Sequence, residues 1–216
     1  EAWDIQQLSK GRFSLGLGSQ VKGHNERRFS TPWSPPAPRM REYVQSLRAI
    51  WRSFQEGGPL EYVGKHYAFT LMTPNFNPGP IEAGDVRVEL AAVNAGNAAV
   101  AGEVCDGVKL HPFHTPSYLR EVLLPQVEAG RARGGRKLPF AVSGGGLIAT
   151  GRTWPDVERA VPAVKRWISF YGSTAAYHAV LHHHGEHELG ERLRALSLQG
   201  KWDDMRAAVS DDALEK

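Results

Sequence analysis

The fold is decided by residues 4–19, which read DIQQLSKGRFSLGLGS. The residues from Glu1 to Leu8 have the pattern of the end of a helix, and we expect that this helix begins before the first residue of the chain. From Phe13 to Gly18, apolar and small residues form a short run that is typical of a buried strand. A helix end followed closely by a buried strand predicts one repeat of an α/β fold.

Three further apolar runs have the same strand pattern, and stretches with helical spacing lie between them. One helical stretch places Tyr43, Leu47 and Ile50 at steps of three and four residues, which gives it an apolar face. Another begins behind Thr153, the expected N-cap, with Pro155 in its first turn. The predicted strands are 13–18, 86–93, 107–111 and 141–148, and the predicted helices are 40–54, 98–105, 117–133 and 153–171. Strands that alternate with helices predict right-handed crossovers and a parallel sheet.

Four strands are half the number in a TIM (β/α)8 barrel, which typically needs about 250 residues. The chain has 216 residues, and its closing stretch, 203–216, is helical and polar and does not lead into another strand. We therefore expect the fold class to be α/β, in the form of a partial TIM barrel with both ends missing. Residues 1–216 are expected to form a single incomplete domain.

Residues 27–84 interrupt the alternation and contain a Pro-rich loop, a helix and a hairpin. The hairpin is expected over residues 60–69, with its turn at Gly64 and Lys65. Long loops in compact barrels are usually functional, so we expect a lid or a substrate wall here. Trp33 is the tryptophan expected in such a wall. Four other tryptophans are expected mostly in the core or in helix packing: Trp51, Trp154, Trp167 and Trp202.

Composition excludes several classes of protein. The chain is 41% hydrophobic and 23% charged, which is ordinary for a globular domain, and it has no apolar run long enough for a membrane span. Its net charge of +3 comes from 26 basic and 23 acidic residues that are interspersed, whereas a nucleic-acid-binding surface would be more one-sided. Cys105 is the single cysteine, so no internal disulfide forms, and we expect a cytoplasmic protein.

The motifs resemble those of the luciferase-like monooxygenase superfamily. Residues 4–19 resemble its signature D-x-L-S-x-G-R-x-x-L-G-x-G. Tyr62–Tyr67 is similar to the family's F-x-G-x-x-Y hairpin, and Ala101–Gly107 is similar to the A-x-x-A-D-G entry to its sixth strand. Residues 111–115 and 170–174 look most like the branch that depends on the deazaflavin coenzyme F420.

The resemblance implies an oxidoreductase that transfers a hydride between coenzyme F420 and an organic small molecule. An FMN-dependent monooxygenase of the same fold is the alternative, and a non-catalytic truncated barrel that acts as a binding or assembly module is another. The visible strands would be the fourth to the seventh of the family's barrel. We therefore expect the 216-residue chain by itself to be inactive and to bind F420 more weakly than a chain extended at both ends. A homodimer is expected.

Gly18, Ser19 and Gln20 follow the first strand at its C-terminal end, where barrel enzymes place their sites. Glycine permits close approach of the backbone to a planar ring or a phosphate, and Ser19 and Gln20 offer hydrogen bonds to ring carbonyls. The glycines are equally compatible with helix packing and a tight turn. With the family context, we expect Gly18, Ser19 and Gln20 to contact the cofactor.

The loop of residues 92–97 follows the next strand and precedes a helix, whose N-terminal N–H groups suit an anion. The resemblance implies that this loop holds the cofactor's phosphate together with the loop after the following strand. Ala92, Asn94 and Gly96 are therefore predicted to bind the cofactor. Asn97 is equally compatible with a plain N-cap.

His111 and His114 close the third strand, where imidazoles can bind a phosphate or polarise a substrate carbonyl. Both are predicted to bind the cofactor, and a structural role is the alternative. No catalytic residue can be assigned from the spacing of the side chains.

The run from His182 to His187 has the composition of a metal site, since His183 and His187 would share a face if a helix formed there. Gly185 interrupts that helix, so we expect a solvated helix end and no metal. The run from Gly144 to Gly146 is only superficially a phosphate-binding loop, because no Lys followed by Ser or Thr comes after it.

Overall fold

In the part of the chain that the structure describes, four strands form one sheet and two shorter strands form a hairpin. The computed structural model describes residues 1–135 and 139–214. The strands are β1 (Ser14–Leu17), β2 (Tyr62–Val63), β3 (Ala68–Phe69), β4 (Arg87–Ala92), β5 (Gly107–Leu110) and β6 (Ala141–Ser143). The helices are α1 (Ala2–Leu8), α2 (Lys22–Arg27), α3 (Pro36–Glu56), α4 (Ala95–Val104), α5 (Pro116–Tyr118), α6 (Leu124–Gly134), α7 (Trp154–Gly172), α8 (His178–His183), α9 (His187–Leu198), α10 (Trp202–Ala207) and α11 (Asp211–Leu214). A π-helical stretch, Leu119–Leu123, joins α5 to α6, and short 3₁₀ turns occur at Pro74–Phe76 and Ala175–Tyr177.

The chain forms two compact units. The first comprises Glu1–Lys109 and Gln126–Ser143, and the second comprises Leu110–Pro125 and the residues from Gly144 onward. The single incomplete domain stays a prediction. The expected helical ending is present as α10 and α11, and residues 215–216 lie outside the described part. Within residues 1–135 and 139–214, no helix is both long enough and apolar enough to cross a bilayer.

The strand order of the larger sheet is β1-β4-β5-β6. β1 pairs with β4 in parallel, and β5 pairs with β6 in parallel. The parallel sheet and the positions of all four strands are therefore confirmed. One strand is shorter than predicted, since β6 ends at Ser143 and does not continue to Ile148. The reason is Gly144, whose φ of +130° leaves the extended conformation.

β4 has one buried face and one polar face. Val88, Leu90 and Ala92 alternate on the buried face and are at most 2% exposed, and α4 contacts this strand and α3. Arg87 and Glu89 point to the opposite face. The core of the first unit thus lies between the sheet and its helices.

The motif residues Asp106 and Gly107 have structural roles. Asp106 Oδ2 accepts a hydrogen bond from the N–H of Val88 at 2.8 Å and forms an ion pair with Arg48 Nη2 at 2.9 Å, which ties α3 to β4. A side chain at Gly107 would lie 2.8 Å from the carbonyl oxygen of Ala141 on β6. This motif therefore specifies how the strands pack and does not mark a ligand site.

α4 and α6 pack backbone against backbone. A Cβ added at Gly102, Gly130 or Gly134 would overlap a carbonyl group of the facing helix. Arg41 strengthens the same region through two hydrogen bonds of 2.9 Å to the carboxylate of Glu103. The glycines therefore set the separation of the two helices.

The predicted hairpin over residues 60–69 is confirmed as the antiparallel pair β2 and β3. It is attached to α3 by Glu42, whose Oε2 accepts hydrogen bonds from the N–H groups of His66 at 2.6 Å and Tyr67 at 3.3 Å. The hydrogen bond from His66 is the largest of the influences that lower the pKa of Glu42. The Tyr67 ring also packs edge-on against Tyr43 of α3 at 5.6 Å.

The second unit is helical, and its longest helix begins as predicted. Thr153 and Asp156 form a reciprocal capping box at the start of α7. Trp51 of the first unit is buried, as expected. The prediction of core positions is wrong for Trp154, Trp167 and Trp202, which are 72%, 50% and 57% exposed. Trp167 and Trp202 line a cleft formed by α7 and α10, which agrees with the alternative of helix packing.

Candidate functional site

Two predicted ligand-binding loops meet at one edge of the sheet in the first unit. β1 and β4 run parallel, with Leu17 opposite Leu90, so their C-terminal ends lie at the same edge. Residues 18–20 follow β1 there, and residues 93–94 follow β4. α/β proteins place their ligands at this edge. The predicted cofactor-binding residues in this region are Gly18, Ser19, Gln20, Ala92, Asn94 and Gly96.

Asn97 joins the two loops. Its Nδ2 donates to Ser19 Oγ at 3.3 Å and to the carbonyl oxygen of Ala91 at 3.3 Å. The alternative that Asn97 is an N-cap is wrong, because α4 begins at Ala95 and its N-cap is Asn94. No local sequence pattern indicates this bridge, since the partner Ser19 lies 78 positions away along the chain.

The loop after β1 is also held from other directions. The carbonyl oxygen of Ser19 accepts hydrogen bonds from Asn25 Nδ2 at 3.2 Å and Arg39 Nη2 at 3.4 Å. Gln20 has a φ of +56°, a left-handed conformation that is uncommon for a residue with a side chain. Strained positions of this kind concentrate at ligand-binding sites. The side chain of Gln20 is exposed, and its Oε1 accepts a hydrogen bond from the N–H of Val21 at 3.3 Å.

The loop after β4 leads directly into α4. Asn94 has an extended backbone, with φ of −118° and ψ of 157°, and its carbonyl oxygen accepts the N–H of Ala98 at 3.1 Å. Gly96 in the first turn is exposed, and a Cβ there would meet only Ala37, at an ordinary contact distance of 3.5 Å. Ala92 is only 2% exposed, so almost none of its surface, backbone included, is open to a ligand. The N–H groups at the start of this ten-residue helix favour an anion.

The sheet face beside β1 carries small side chains. A Cβ at Gly16 would meet no atom within 4 Å, and one at Gly18 would meet only Ala91, at 3.8 Å. Neither glycine is required by close packing within the first unit. No side chain therefore protrudes from β1 at Gly16 or from the loop at Gly18, and a planar molecule can approach the backbone there.

Glu89 lies on the same face, and it is not among the site residues predicted from the sequence. Its Oε1 accepts a hydrogen bond from Ser14 Oγ at 3.1 Å, and its Oε2 accepts one from Ser143 Oγ at 3.0 Å. The carboxylate thus connects β1, β4 and β6. A single acidic residue in the apolar run of residues 86–93 is the signal that could have identified it.

His111 and His114 belong to the second unit. Nδ1 of His111 accepts a hydrogen bond from the N–H of Phe113 at 3.1 Å, and the ring packs against Tyr171 and Tyr177 at centroid distances of 4.7 and 4.8 Å. Burial lowers the pKa of His111, and the charge of His114 lowers it further. A neutral His111 must then carry its proton on Nε2, which is a hydrogen-bond donor.

The tautomer of His114 is opposite. Its Nδ1 lies 2.7 Å from the carbonyl oxygen of His111, and a carbonyl oxygen can only accept, so Nδ1 carries a proton. In a neutral His114 ring, Nε2 is then an acceptor. When both rings are neutral, the two histidines therefore present one donor and one acceptor within four residues of chain.

The histidine-rich segment is divided between two helices. α8 ends at His183, Gly185 has a φ of +76°, and α9 begins at His187. His183 and His187 therefore do not share one helical face, as the interruption at Gly185 predicted. His182 and His187 stack with their ring centroids 4.3 Å apart. Within residues 1–135 and 139–214, no group of three or more His, Cys, Asp or Glu side chains is arranged to hold a metal ion.

The chain is similar in sequence to a known protein family and to individual proteins. The sequence model of a family described as luciferase-like monooxygenase matches residues 1–216. An uncharacterised protein of Mycobacterium tuberculosis is 44% identical over 213 residues, which cover 98% of this chain and 63% of that protein. The 5,10-methylenetetrahydromethanopterin reductase of Archaeoglobus fulgidus is 26% identical over 219 residues, which cover 98% of this chain and 60% of the reductase.

The fold is similar to a solved structure. The coenzyme F420 dependent tetrahydromethanopterin reductase from Methanopyrus kandleri superposes with a TM-score of 0.75 at 24% sequence identity, over 99% of this chain and 62% of that one. The chain thus spans 60–63% of the length of these relatives. The resemblance drawn from the motifs is confirmed.

Proposed function

The chain belongs to the luciferase-like monooxygenase family, and on that premise we propose that it is an oxidoreductase that binds coenzyme F420 where β1 and β4 end. The observation that carries the proposal is the hydrogen bond between Asn97 and Ser19, which fixes the two loops next to the start of α4. When bound, this deazaflavin accepts or donates a hydride in a two-electron reaction with an organic small molecule.

The residues at this edge fit a planar ring with an attached phosphate. Gly16 and Gly18 leave room for a ring to approach the backbone, because a side chain at either would meet almost no neighbouring atom. Ser19 and Gln20 carry the hydrogen-bonding groups that ring carbonyls need. Asn94 and Gly96 lie at the helix start that would hold the phosphate.

In this proposal the protein orients the ring and keeps water from the reacting face. The contacts of Asn25, Arg39 and Asn97 hold the β1 loop in one conformation before any ligand binds, which reduces the entropy lost on binding. His111 and His114 are proposed as further ligand contacts, since one offers a donor and the other an acceptor.

We also propose that β1, β4, β5 and β6 correspond to the fourth to seventh strands of an eight-stranded barrel. The support is the match of 99% of this chain to 62% of a reductase chain at a TM-score of 0.75.

The test is a titration of F420 into the wild-type chain and into Gly96→Asp, followed by the absorbance and fluorescence of the deazaflavin. The substitution places a negative charge at the start of α4 at a position with room for a side chain. We expect the affinity for F420 to fall by about tenfold or more, because like charges repel at the phosphate position.

Gly58→Asp is the matched control. Gly58 also has room for a side chain, but it follows the far end of α3. Ala37, at the start of α3, lies next to Gly96, and this helix has 21 residues. The control charge beyond the other end of the helix therefore lies roughly 30 Å from Gly96. Equal affinity of wild type and Gly96→Asp would refute the phosphate position. Tighter binding of FMN than of F420 in the same assay would favour the flavin alternative.

A further inference from the structure

The second unit contains a cleft of about 320 Å³, and of the described residues that line it only His114 has been given a role above. This volume is at the lower end of the range for small-molecule sites, roughly 300–1,000 Å³. The segments that line it are residues 112–116, residues 146–148, α7, α8, α9 and α11. All of these belong to one compact unit, so the cleft does not depend on the cofactor edge of the sheet.

Most of the cleft is apolar. Phe113, Val180 and Leu181 are buried side chains that line it, with exposures of 5%, 3% and 7%. Ile168 and Leu189 are half-buried and also line it. A ligand with an alkyl or aryl body would bury apolar surface here, at roughly 25 cal/mol per Å² removed from water.

A polar pair lines the same cleft. Thr115 Oγ1 and His184 Nε2 are 2.8 Å apart, and both residues belong to the lining. The Thr115 hydroxyl also accepts the N–H of Tyr118 at 3.2 Å and lies 3.2 Å from Ser117 Oγ, so its position is fixed by several partners. A few fixed polar groups in an apolar cleft are the usual arrangement for orienting a small ligand.

The charge of the lining excludes one class of ligand. Glu186 contributes to the cleft, and no Lys or Arg is among the described residues that line it. A carboxylate or phosphate would be repelled by Glu186, and among the described residues that line the cleft only His114 and His184 can carry a positive charge. A neutral hydroxyl or carbonyl group can form hydrogen bonds with Thr115 or His184 at no such cost.

We propose that this cleft is a binding site for a small neutral molecule with an apolar body and one hydroxyl or carbonyl group. The apolar body contacts Phe113, Val180 and Leu181, and the polar group is oriented by the pair Thr115 and His184. The site lies within the second unit, and of its described lining residues only His114 also belongs to the function proposed above.

The isoleucine residues provide a direct test, because the chain has only five. Ile148 and Ile168 line the cleft, whereas Ile5, Ile50 and Ile81 belong to the first unit. Methyl NMR spectra of the isoleucine-labelled full chain would be recorded during a titration with 1-octanol. We expect saturable shifts of the Ile148 and Ile168 methyl signals and none for the other three.

Octanoate serves as the charge control, since it has the same chain length and a negative head group. We expect its apparent affinity to be about tenfold weaker or more. Equal affinities would overturn the inference that the site prefers a neutral head group. Equal shifts of all five methyl signals, or no shift up to the solubility limit of 1-octanol, would overturn the site itself.

Two substitutions on α9 form a matched pair. Leu189→Trp fills the cleft, whereas Leu198→Trp adds the same ring at a position of this helix that is 81% exposed. We expect the first to abolish the octanol-dependent shifts and the second to preserve them. Retained shifts in Leu189→Trp would contradict the placement of the ligand.

His184→Phe keeps an aromatic ring but removes the polar group, and should weaken octanol binding about fivefold. An unchanged affinity would rule out the polar pair as the anchor. The Ile148 and Ile168 signals recorded without 1-octanol report in each case that the second unit is folded.

Discussion

His111 is held as a neutral imidazole by its surroundings. Burial lowers its pKa below the ordinary value of 6.5, and Tyr171 and Tyr177 pack against the ring. In the unfolded chain the same side chain takes up a proton as the pH falls through about 6.5, whereas in the folded chain it does so only at lower pH. The unfolded state therefore binds more protons in this window. We predict that the free energy of unfolding decreases as the pH is lowered below 6.5.

The variant His111→Phe preserves an aromatic ring and removes the titration. Urea unfolding at a series of pH values between 7 and 5 should show a shallower pH dependence than wild type. Leu198→Phe, which adds the same ring at an 81% exposed position and removes no titrating group, is the control and should retain the wild-type slope. Identical slopes for wild type and His111→Phe would show that this histidine does not couple folding to pH.

Individual side-chain contacts were the hardest feature to predict. The strand-end positions of Ser19, Asn94 and His111 followed from the hydrophobic pattern, because each comes where an apolar run stops. The contacts of Asn97 and Glu89 did not follow from this pattern. Ser19, the partner of Asn97, lies 78 positions away in the sequence, and Ser14 and Ser143, the partners of Glu89, lie 75 and 54 positions away. Long-range pairings of this kind depend on the register of the strands, which hydrophobic periodicity does not specify.

At the scale of elements, the hairpin depends on one carboxylate. Glu42 accepts the N–H groups of His66 and Tyr67, and its pKa is lowered below the ordinary value of 4.5 mainly by the first of these hydrogen bonds. A lowered pKa means that the attachment is fully present above pH 4.5 and is lost as the pH falls through the lower pKa of the folded state.

The chemical shift of the His66 amide proton, followed as a function of pH, should therefore show an inflection below pH 4.5. Glu42→Gln should remove the inflection, and Glu61→Gln, at an exposed site beside the hairpin, should leave it in place. An inflection at or above 4.5 in the wild type would contradict the hydrogen-bonding account.

The contact between α4 and α6 gives a second prediction at this scale. Gly130→Ala introduces a methyl group where a Cβ overlaps the carbonyl group of Ala99, so the helices must move apart. We expect a loss of about 1–3 kcal/mol in the free energy of unfolding, measured by urea denaturation with circular dichroism. Gly23→Ala in α2 is the control, because its Cβ would meet only the flexible end of Arg27. It should be neutral or stabilising, since alanine favours a helix by up to about 1 kcal/mol over glycine. Equal stability of the two variants would show that the interface tolerates separation.

Elements were predicted well where a repeating pattern is long. The apolar face of α3 and the capping box of α7 located those helices within a few residues. The predicted strand over residues 141–148 is too long, because the apolar run continues past Gly144 whereas the extended backbone conformation ends before it. The π-helical stretch at Leu119–Leu123 also had no counterpart in the pattern, since it differs from an α-helix only in its hydrogen bonding.

At the scale of the whole molecule, the edges of the sheet support the proposal of a homodimer. Among the described residues, β1 and β6 each have one neighbouring strand and lie at the two edges of the sheet. Unpaired strand edges in proteins are generally covered or paired. Light scattering after size exclusion should give twice the chain mass of 23.8 kDa. A mass equal to that of the single chain, independent of concentration, would refute the dimer.

Family membership was the most predictable property of the whole molecule. Several of the motifs that revealed it have structural roles, since Asp106 and Gly107 fix strand packing and Gly64 allows the turn against Glu42. Motifs that are required by the fold persist among proteins with different ligands. They therefore identify the fold and leave the substrate undetermined.

The three glycines at the contact of α4 and α6 also limit how this chain can diverge. Because Gly102, Gly130 and Gly134 each face a backbone carbonyl group, enlarging any one of them shifts the helix that carries the other contacts. α4 begins at the loop that Asn97 connects to Ser19, so such a shift would be transmitted to the proposed cofactor edge. In sequences that descend from this one, we therefore expect free substitution on the outward faces of both helices. A substitution at one of these three glycines is expected only together with substitutions at the others.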